Sequence, residues 1–236
     1  PLIGYLAAQE RIDSKAILPP PPASDKEMAA DIAVSQEALR LKGTKRWEQA
    51  IVDARLDFPI AAGAFSCAIN MPISEEDTPY TYQLLRRVAT DADSASDSAK
   101  KFYKRKRPFL INQEKPCTPE KMKKKSRETS YPSAHSAIGA LWSLILTELL
   151  PEYATPVLQR GQTFSESRII CNMHWQSDVF QGRYIGAYTY SRLQANAEFQ
   201  ADMQRAREEL ARVRALKLPP TRNCIEETEA LSIALP

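Results

Sequence analysis

The stretch from Ser133 to Leu150, SAHSAIGALWSLILTELL, decides the fold class. Ile138, Leu141, Trp142, Ile145, Leu146 and Leu149 recur at i, i+3, i+4, i+7, i+8 and i+11, the spacing of one face of an α-helix. Pro151 stops the pattern, because proline has neither the N–H nor the room to continue a helix. The apolar run from Ala137 to Leu150 is interrupted by Ser143, Thr147 and Glu148 and is too short to span a bilayer. It reads as a helix buried inside a protein. His135 stands at its N-terminal end, just after a Tyr-Pro-Ser turn.

On the C-terminal side of this helix, residues 155–172 read as another helix. Asp178 to about Asn196 reads as a tyrosine-rich one, and Glu198–Lys217 as a charged amphipathic one. A frayed tail follows from Pro219. On the N-terminal side, helices are expected from about Ala92 to Arg107 and from about Thr78 to Thr90, the latter turning Tyr82, Leu85 and Val88 inward. Thr44 is a plausible cap for a helix carrying Trp47, Ile51, Val52 and Leu56. Ser24, with Glu27 three residues on, forms a capping-box signature for a helix running to about Lys42. Its stripe, Met28, Ile32, Val34, Leu39 and Leu41, is imperfect. Residues 1–24, with prolines at 19 to 22, read as an irregular arm lying over the body. No stretch alternates with period two, no repeat is visible, and 7 glycines in 236 residues argue against a turn-rich β architecture. The class is all-α: one helical domain over residues 25–218, between the arm and the tail at 219–236.

Charge is unevenly placed. The net charge is +3, but Lys100 to Arg127 holds twelve Lys or Arg against Glu114 and Glu120, a local balance of 12 − 2 = +10. The remainder then sums to 3 − 10 = −7, a segregation that steers anions toward one region. Phe109–Ser130 reads as a polar, basic loop, with Lys121, Lys123, Lys124 and Lys125 as its solvated face. One basic segment without a binding motif does not make a nucleic-acid protein. Four cysteines, Cys67, Cys117, Cys171 and Cys224, have no CxxC spacing, so a zinc site is not indicated. The chain opens at Pro1, without a basic segment leading into an apolar one, and is expected to be a mature or trimmed product.

The chemistry gathers in Thr163–Arg183, TFSESRIICNMHWQSDVFQGR. It contains His174, and the chain's only other histidine is His135. Asp178 follows His174 by four residues, about one helical turn, where it can orient the imidazole and leave the other nitrogen as a nucleophile. Arg168 suits an oxyanion, above all a phosphate. Lys100 and Arg107 lie seven residues apart, two helical turns, and so are expected on one helix face just before Pro108 ends that helix. Taken singly, each has a structural reading: Lys100 as a surface charge, Ser133 as a helix cap, His135 as a half-buried core histidine. Their joint order, K-x6-RP, then PSAH, then SR-x5-H-x3-D, favours function.

Those three pieces resemble the signature of the type 2 phosphatidic acid phosphatase superfamily: bacterial class A acid phosphatases, lipid phosphatases and vanadium haloperoxidases. The lipid phosphatases span membranes many times and the haloperoxidases are generally longer chains. The resemblance is therefore to the class A acid phosphatases, over roughly Leu41–Arg212, including KGTKRW, FSCA, SAKKFYKRKRPF, LPEY, SRIIC and HWQSDV. It implies an all-α bundle of that superfamily's kind. It also implies a metal-independent, cofactor-free hydrolysis of phosphate monoesters at acid pH, with nucleoside di- and triphosphates as an open preference. His174 would be the nucleophile forming a phosphohistidine, Asp178 its orienting partner, and His135 the acid and then the base. Lys100, Arg107, Ser133, Ala134 and Arg168 would hold the phosphate. Inorganic phosphate would bind, vanadate would inhibit, and neither nucleic acid nor a membrane span is implied; a homo-oligomer stays open. The runner-up is a vanadate-dependent haloperoxidase, and a third reading is a non-catalytic polyanion-binding module. The resemblance also places Phe65–Ile73 near the active-site mouth. It implies a periplasmic or secreted location, and export favours disulfides over buried thiols. Sequence does not fix their pairing; the pairing chosen is Cys117–Cys171 with Cys67–Cys224, the first of which would tie the basic loop to the catalytic segment. Two departures stand out. Ala134 replaces the usual glycine between serine and histidine, and Asn172 and Met173 stand where glycine and an aromatic residue are more usual.

Overall fold

The computed structural model describes residues 2–126 and 129–235. Its α-helices of five residues or more are α1 (Asp25–Leu39), α2 (Lys45–Asp53), α3 (Pro79–Ala95), α4 (Asp97–Tyr103), α5 (Pro108–Asn112), α6 (Ala134–Leu149), α7 (Ala154–Ile170), α8 (Gln176–Leu193), α9 (Ala197–Leu216) and α10 (Cys224–Leu231). Among the described residues there is no β-strand, and no helix is long and apolar enough to cross a membrane.

The helix read as buried, α6, is buried between its neighbours. α6 packs against α8, α7 and α3, while α9 covers α3, α2 covers α7, and α10 packs on α2. Ile138, Leu141, Trp142, Ile145, Leu146 and Leu149 are all buried, and the Trp142 indole N–H donates to the Leu85 carbonyl at 2.8 Å. Removing this face from water is the main favourable term holding the bundle. Close approach of α8 to α6 is made possible by two glycines. A β-carbon at Gly182 would lie 2.2 Å from the Ser133 carbonyl oxygen, and one at Gly186 would lie 2.4 Å from that of Ala137. The N-terminus of α6, where His135 sits, is thus set directly by contact with α8.

Local signals placed several ends correctly. The Ser24 side chain accepts from the Glu27 N–H and Glu27 returns a bond to the Ser24 N–H, completing the capping box; Thr44 accepts from the Trp47 N–H. Both chosen disulfides are present, Cys67–Cys224 and Cys117–Cys171. The N-terminal arm lies on the body, with Tyr5 and Leu6 buried and their N–H groups donating to the Asp91 carboxylate at 2.8 and 3.0 Å.

Other expectations need correcting. The segment before Pro108 is not one helix. α4 ends at Tyr103, Lys104 turns the chain at φ 48°, and Arg107 caps α5 in an extended conformation. Lys100 and Arg107 therefore do not share a helix face, although both reach one cavity. The basic loop contains α5 and a short helix, Met122–Lys125; its Arg127, counted in the charge balance, lies outside the described residues. Phe65, Ile69, Met71 and Ile73 are core residues outside the cavity lining, to which Ala54, Leu56 and Asp57 contribute instead. The tail is not frayed throughout: α10 is tied down by Cys224, and its Glu227 is buried against Arg160 at 3.2 Å.

The α6–α8 contact is directly testable. Gly182→Ala places a methyl group against backbone, which cannot rotate away. It is expected to lower the melting temperature by roughly 3–10 °C, from an overpacking cost of about 1–3 kcal/mol, and to lower kcat by moving His135. An unchanged melting temperature would mean that the helices do not approach this closely.

Candidate active site

Three structural ends converge on one cavity of about 1220 Å³. α4 and the segment after it bring Lys100, Arg105 and Arg107; the start of α6 brings Ala134 and His135; the end of α7 and the turn beyond it bring Arg168 and His174. Ten Lys or Arg line it against four Asp or Glu, counted among the described residues, so the surplus of basic charge read from the sequence faces this space.

The turn that presents His174 is held at several points. The Met173 and His174 N–H groups both donate to the Arg168 carbonyl, at 3.1 and 3.2 Å. Asn172 takes a left-handed conformation, φ 57°, which asparagine tolerates better than most residues and which explains why it can stand in a glycine position. Its side chain donates to the Glu114 carbonyl at 2.8 Å. Cys171 is bonded to Cys117, whose N–H donates to the Cys171 carbonyl at 3.0 Å, so the basic segment and the turn move as one piece.

Arg107 fixes the tautomer of His174. Its Nη1 lies 2.9 Å from His174 Nε2 and 2.9 Å from the Met173 carbonyl. A guanidinium can only donate, so Nε2 holds a lone pair and, in the neutral ring, the proton is on Nδ1. That Nδ1 stands 3.5 Å from Asp178 Oδ2, without the directed hydrogen bond expected from the sequence. Asp178 is engaged elsewhere: Oδ2 accepts from the Trp175 N–H at 2.9 Å, as the cap of α8, and Oδ1 accepts from Arg105 at 2.6 Å. Burial pushes the Asp178 carboxyl upward, and Arg105 opposes that rise.

His135 is held differently. Its ring stacks on Phe164, with centroids 4.6 Å apart and planes 15° from parallel. The Asp53 backbone accepts a hydrogen bond from the ring, while Nε2 is buried without a partner in the protein. Both histidines are pushed well below the usual imidazole value, first by burial and then by neighbouring cations: Arg168 and Lys121 for His135, Arg107 and Lys100 for His174. The cations also repel one another. Burial and Arg107 lower Lys100 to about 8, and the same two causes press Arg168 downward. Arg168 Nε and Nη1 are buried without a hydrogen-bond partner, while Lys100 Nζ donates to the Pro132 carbonyl at 2.7 Å. Such an arrangement suits an oxyanion, which would satisfy the donors and relieve the repulsion.

Of two residues expected at the phosphate, one sits otherwise. Ser133 is fully buried: its hydroxyl accepts from the Ser136 N–H at 3.2 Å and hydroxyl at 2.9 Å, and its N–H donates to the Asp178 carbonyl at 2.9 Å. It joins α6 to α8 and, like Asp178, is not among the residues lining the cavity. Ala134 lines the cavity and begins α6 without a positive φ, so this position does not require the conformational freedom of glycine. Sequence reading missed Arg105, which stood among six basic residues between Lys100 and Arg107, and Asp31 and Ser177, its partners.

The chain is similar to known proteins on two counts. Residues 84–193 match the model of the PAP2 superfamily. It is 40% identical to a non-specific acid phosphatase of Salmonella typhimurium over 87% of this chain and 83% of the relative. It is 40% identical to one of Providencia stuartii over 91% and 87%, and 36% identical to an acid phosphatase of Zymomonas mobilis over 86% and 77%.

The depressed histidines predict a proton-linked affinity. In the free protein they stay neutral well below the usual value; an oxyanion among them raises them, so the complex holds protons that the free protein lacks. Sulfate remains a dianion through this range, and its affinity is expected to rise on the order of ten-fold as pH falls from 7.5 to 5. Calorimetry in two buffers of different ionisation enthalpy measures the uptake. Binding without proton uptake would place the anion away from both rings.

Proposed function

Because the chain belongs to the non-specific acid phosphatases of the PAP2 superfamily, it is an acid phosphatase, and we propose that it works through a phosphohistidine on His174 without a metal ion. The observation that carries this reading is the Arg107–His174 contact, which leaves the lone pair on Nε2, the nitrogen facing the cations, and the proton on the side of Asp178.

The substrates are phosphate monoesters. Lys100, Arg107 and Arg168 take the phosphoryl oxygens, with the N–H groups of Ala134 and His135 at the start of α6, first-turn donors without intrahelical partners. Arg107 gives up its bond to His174 as it turns to the phosphate, which frees the nucleophile when substrate is in place. Nε2 then attacks phosphorus in line: the P–N bond forms, the P–O bond to the leaving group breaks, and Asp178 stabilises the imidazolium. The departing alkoxide needs a proton, and His135 Nε2 is the candidate donor. The free ring is neutral, so its proton arrives with the substrate, since a phosphate monoester is a singly protonated monoanion below about pH 6. This makes acid pH a requirement of the chemistry. In the second half, neutral His135 takes a proton from water, the water oxygen bonds to phosphorus, and the P–N bond breaks to release inorganic phosphate.

Metal independence is supported by the source of positive charge, which is arginine and lysine. Among the described residues no three His, Cys, Asp or Glu side chains come together as a metal site. Vanadate, which can take up a five-coordinate geometry at the same cations, is read as an inhibitor. A periplasmic or secreted location is supported by the two disulfides, which persist in oxidising compartments.

Rapid-quench trapping with p-nitrophenyl phosphate tests the division of labour. His174→Ala is expected to form no acid-labile phosphoenzyme. His135→Ala should form it, because this leaving group departs without a proton, and then hydrolyse it about 10²–10⁴-fold more slowly. Adduct in the first variant and none in the second would reverse the two roles. Turnover in excess EDTA is expected to match that in buffer. Loss of turnover restored by a divalent ion would overturn the metal-independent reading.

A further inference from the structure

Arg105 occupies a position that the phosphate chemistry does not explain. It lies just after Lys104 turns the chain, and the extended segment it belongs to is clamped on both sides: the Arg105 carbonyl accepts from the Ser130 N–H at 2.9 Å, and the Lys106 carbonyl accepts from the Trp175 indole at 2.9 Å. The side chain is 8% exposed. Its Nη1 donates to Asp178 Oδ1 at 2.6 Å and to Ser177 Oγ at 2.7 Å; its Nη2 donates to Asp31 Oδ2 at 2.7 Å. Asp31 in turn accepts from the Ser177 N–H at 2.8 Å and hydroxyl at 2.5 Å. One guanidinium therefore joins two buried carboxylates, one on α1 and one on α8, and the second of these faces His174.

We propose that Arg105, bridged to Asp31, is the positioning residue of the nucleophile: it sets the plane of the Asp178 carboxylate behind His174 and keeps that carboxylate charged at acid pH. This rests on the phosphohistidine reading above. The physical reason is that Asp178 has two duties with opposite demands. As the cap of α8 it must point Oδ2 at the Trp175 N–H, and as partner of His174 it must keep a negative charge in a buried place. One arm of the guanidinium fork satisfies Oδ1 and holds the rotation of the carboxylate, while the other arm is held by Asp31, with Ser177 bonded to both Arg105 and Asp31.

The groups facing Asp178 set the sign of the pH effect. They are Arg105 from the segment after α4, Asp31 on α1, Lys100 on α4, Tyr131 before α6, and His174 in the turn before α8. Burial raises the carboxyl, Arg105 lowers it and Asp31 raises it. Removing Arg105 therefore protonates Asp178 at higher pH, and neutralising Asp31 does the reverse.

The experiment is pre-steady-state phosphoenzyme formation from p-nitrophenyl phosphate in Arg105→Gln, Arg105→Lys and Asp31→Asn, with the pH profile of kcat/KM and the inhibition constant of inorganic phosphate. Arg105→Gln is expected to slow phosphoenzyme formation by about 10- to 100-fold, the size seen when an outer partner that orients a ligating group is lost. Its acid limb should move to higher pH, with phosphate inhibition changed less than three-fold. Arg105→Lys keeps the charge but loses one bridge, so the limb should return toward the parent while the rate recovers in part. Asp31→Asn should slow the step and move the limb to lower pH, and it carries the test if Arg105→Gln does not fold. A large rise in the phosphate inhibition constant for the Arg105 variants would make Arg105 a phosphate ligand and overturn the proposal. Unmoved acid limbs in both Arg105→Gln and Asp31→Asn would reduce the network to a structural one and overturn it too. If the parent protein itself forms no phosphoenzyme, the mechanism fails first; if the parent forms it and the variants match its rate, only the role of Arg105 fails.

Discussion

Repulsion among buried cations is the constraint the rest of the molecule answers to. Arg107 lowers both Lys100 and Arg168, and all three add to the burial that holds His174 neutral. Isolated helices would separate under that load. A buried charge is costly unless paired, and leaving donors such as those of Arg168 without partners adds to the cost. The fold keeps the groups together because each is attached to a different part of the bundle, and those parts are fixed to one another away from the cavity.

The fixings are of three kinds. Apolar burial on α6 provides the bulk, with α8 drawn close through Gly182 and Gly186. Two disulfides close long loops, Cys117–Cys171 across 54 residues and Cys67–Cys224 across 157. The chain-entropy model gives each of these about 4–5 kcal/mol. The third is a buried ion-pair hub behind the site. Arg160 bonds Asp53 through two nitrogens, at 2.5 and 3.1 Å, and reaches Glu227 of α10, while Ser167, one residue before Arg168, donates to Asp53 at 2.7 Å. A pair of this kind adds less stability than its Coulomb energy suggests, but breaking one half leaves a bare charge, so it defines geometry. What it defines is the end of α7, where Arg168 begins the turn to His174.

Legibility from sequence followed the nature of each signal. The apolar stripe of α6, the caps at Ser24 and Thr44, and the three motif pieces were readable because each is local and periodic. Helix α1 shows the limit. Its apolar residues suggested one face, yet the buried positions are Asp31, Ser35 and Ala38, and Ile32 is exposed. A face turned toward a polar network carries polar residues, which an apolar period cannot reveal. Arg105 was hidden for the opposite reason: six basic residues in eight give no hint which one is buried. The break at Lys104 had no Gly, Pro or Asn to announce it, since a lysine takes the left-handed position there. Helix α10 follows a Pro-Pro pair and is short. What holds it is Cys224 and Glu227, contacts to residues 157 positions away and in another helix, which no window along the chain contains.

The two histidines show how one environment yields two chemistries. Both are buried, and both are lowered by burial first and then by neighbouring cations, Arg168 among them in each case. What separates them is the partner on each nitrogen. In His174 a donor faces Nε2 and a carboxylate faces Nδ1, so the ring presents a lone pair and has a place to spread positive charge once it reacts. In His135 the backbone of Asp53 holds one side, Phe164 fixes the plane, and the unpartnered Nε2 has no carboxylate behind it to favour a lasting imidazolium. A ring so placed accepts a proton only while an anion is beside it and returns it when that anion changes. That is the property required of a group that must be an acid in one step and a base in the next. The distinction rests on Asp53, Arg105 and Asp31, none of which is a specified position of the three motif pieces, so the motif identifies the reacting atoms while the surrounding fold assigns their roles.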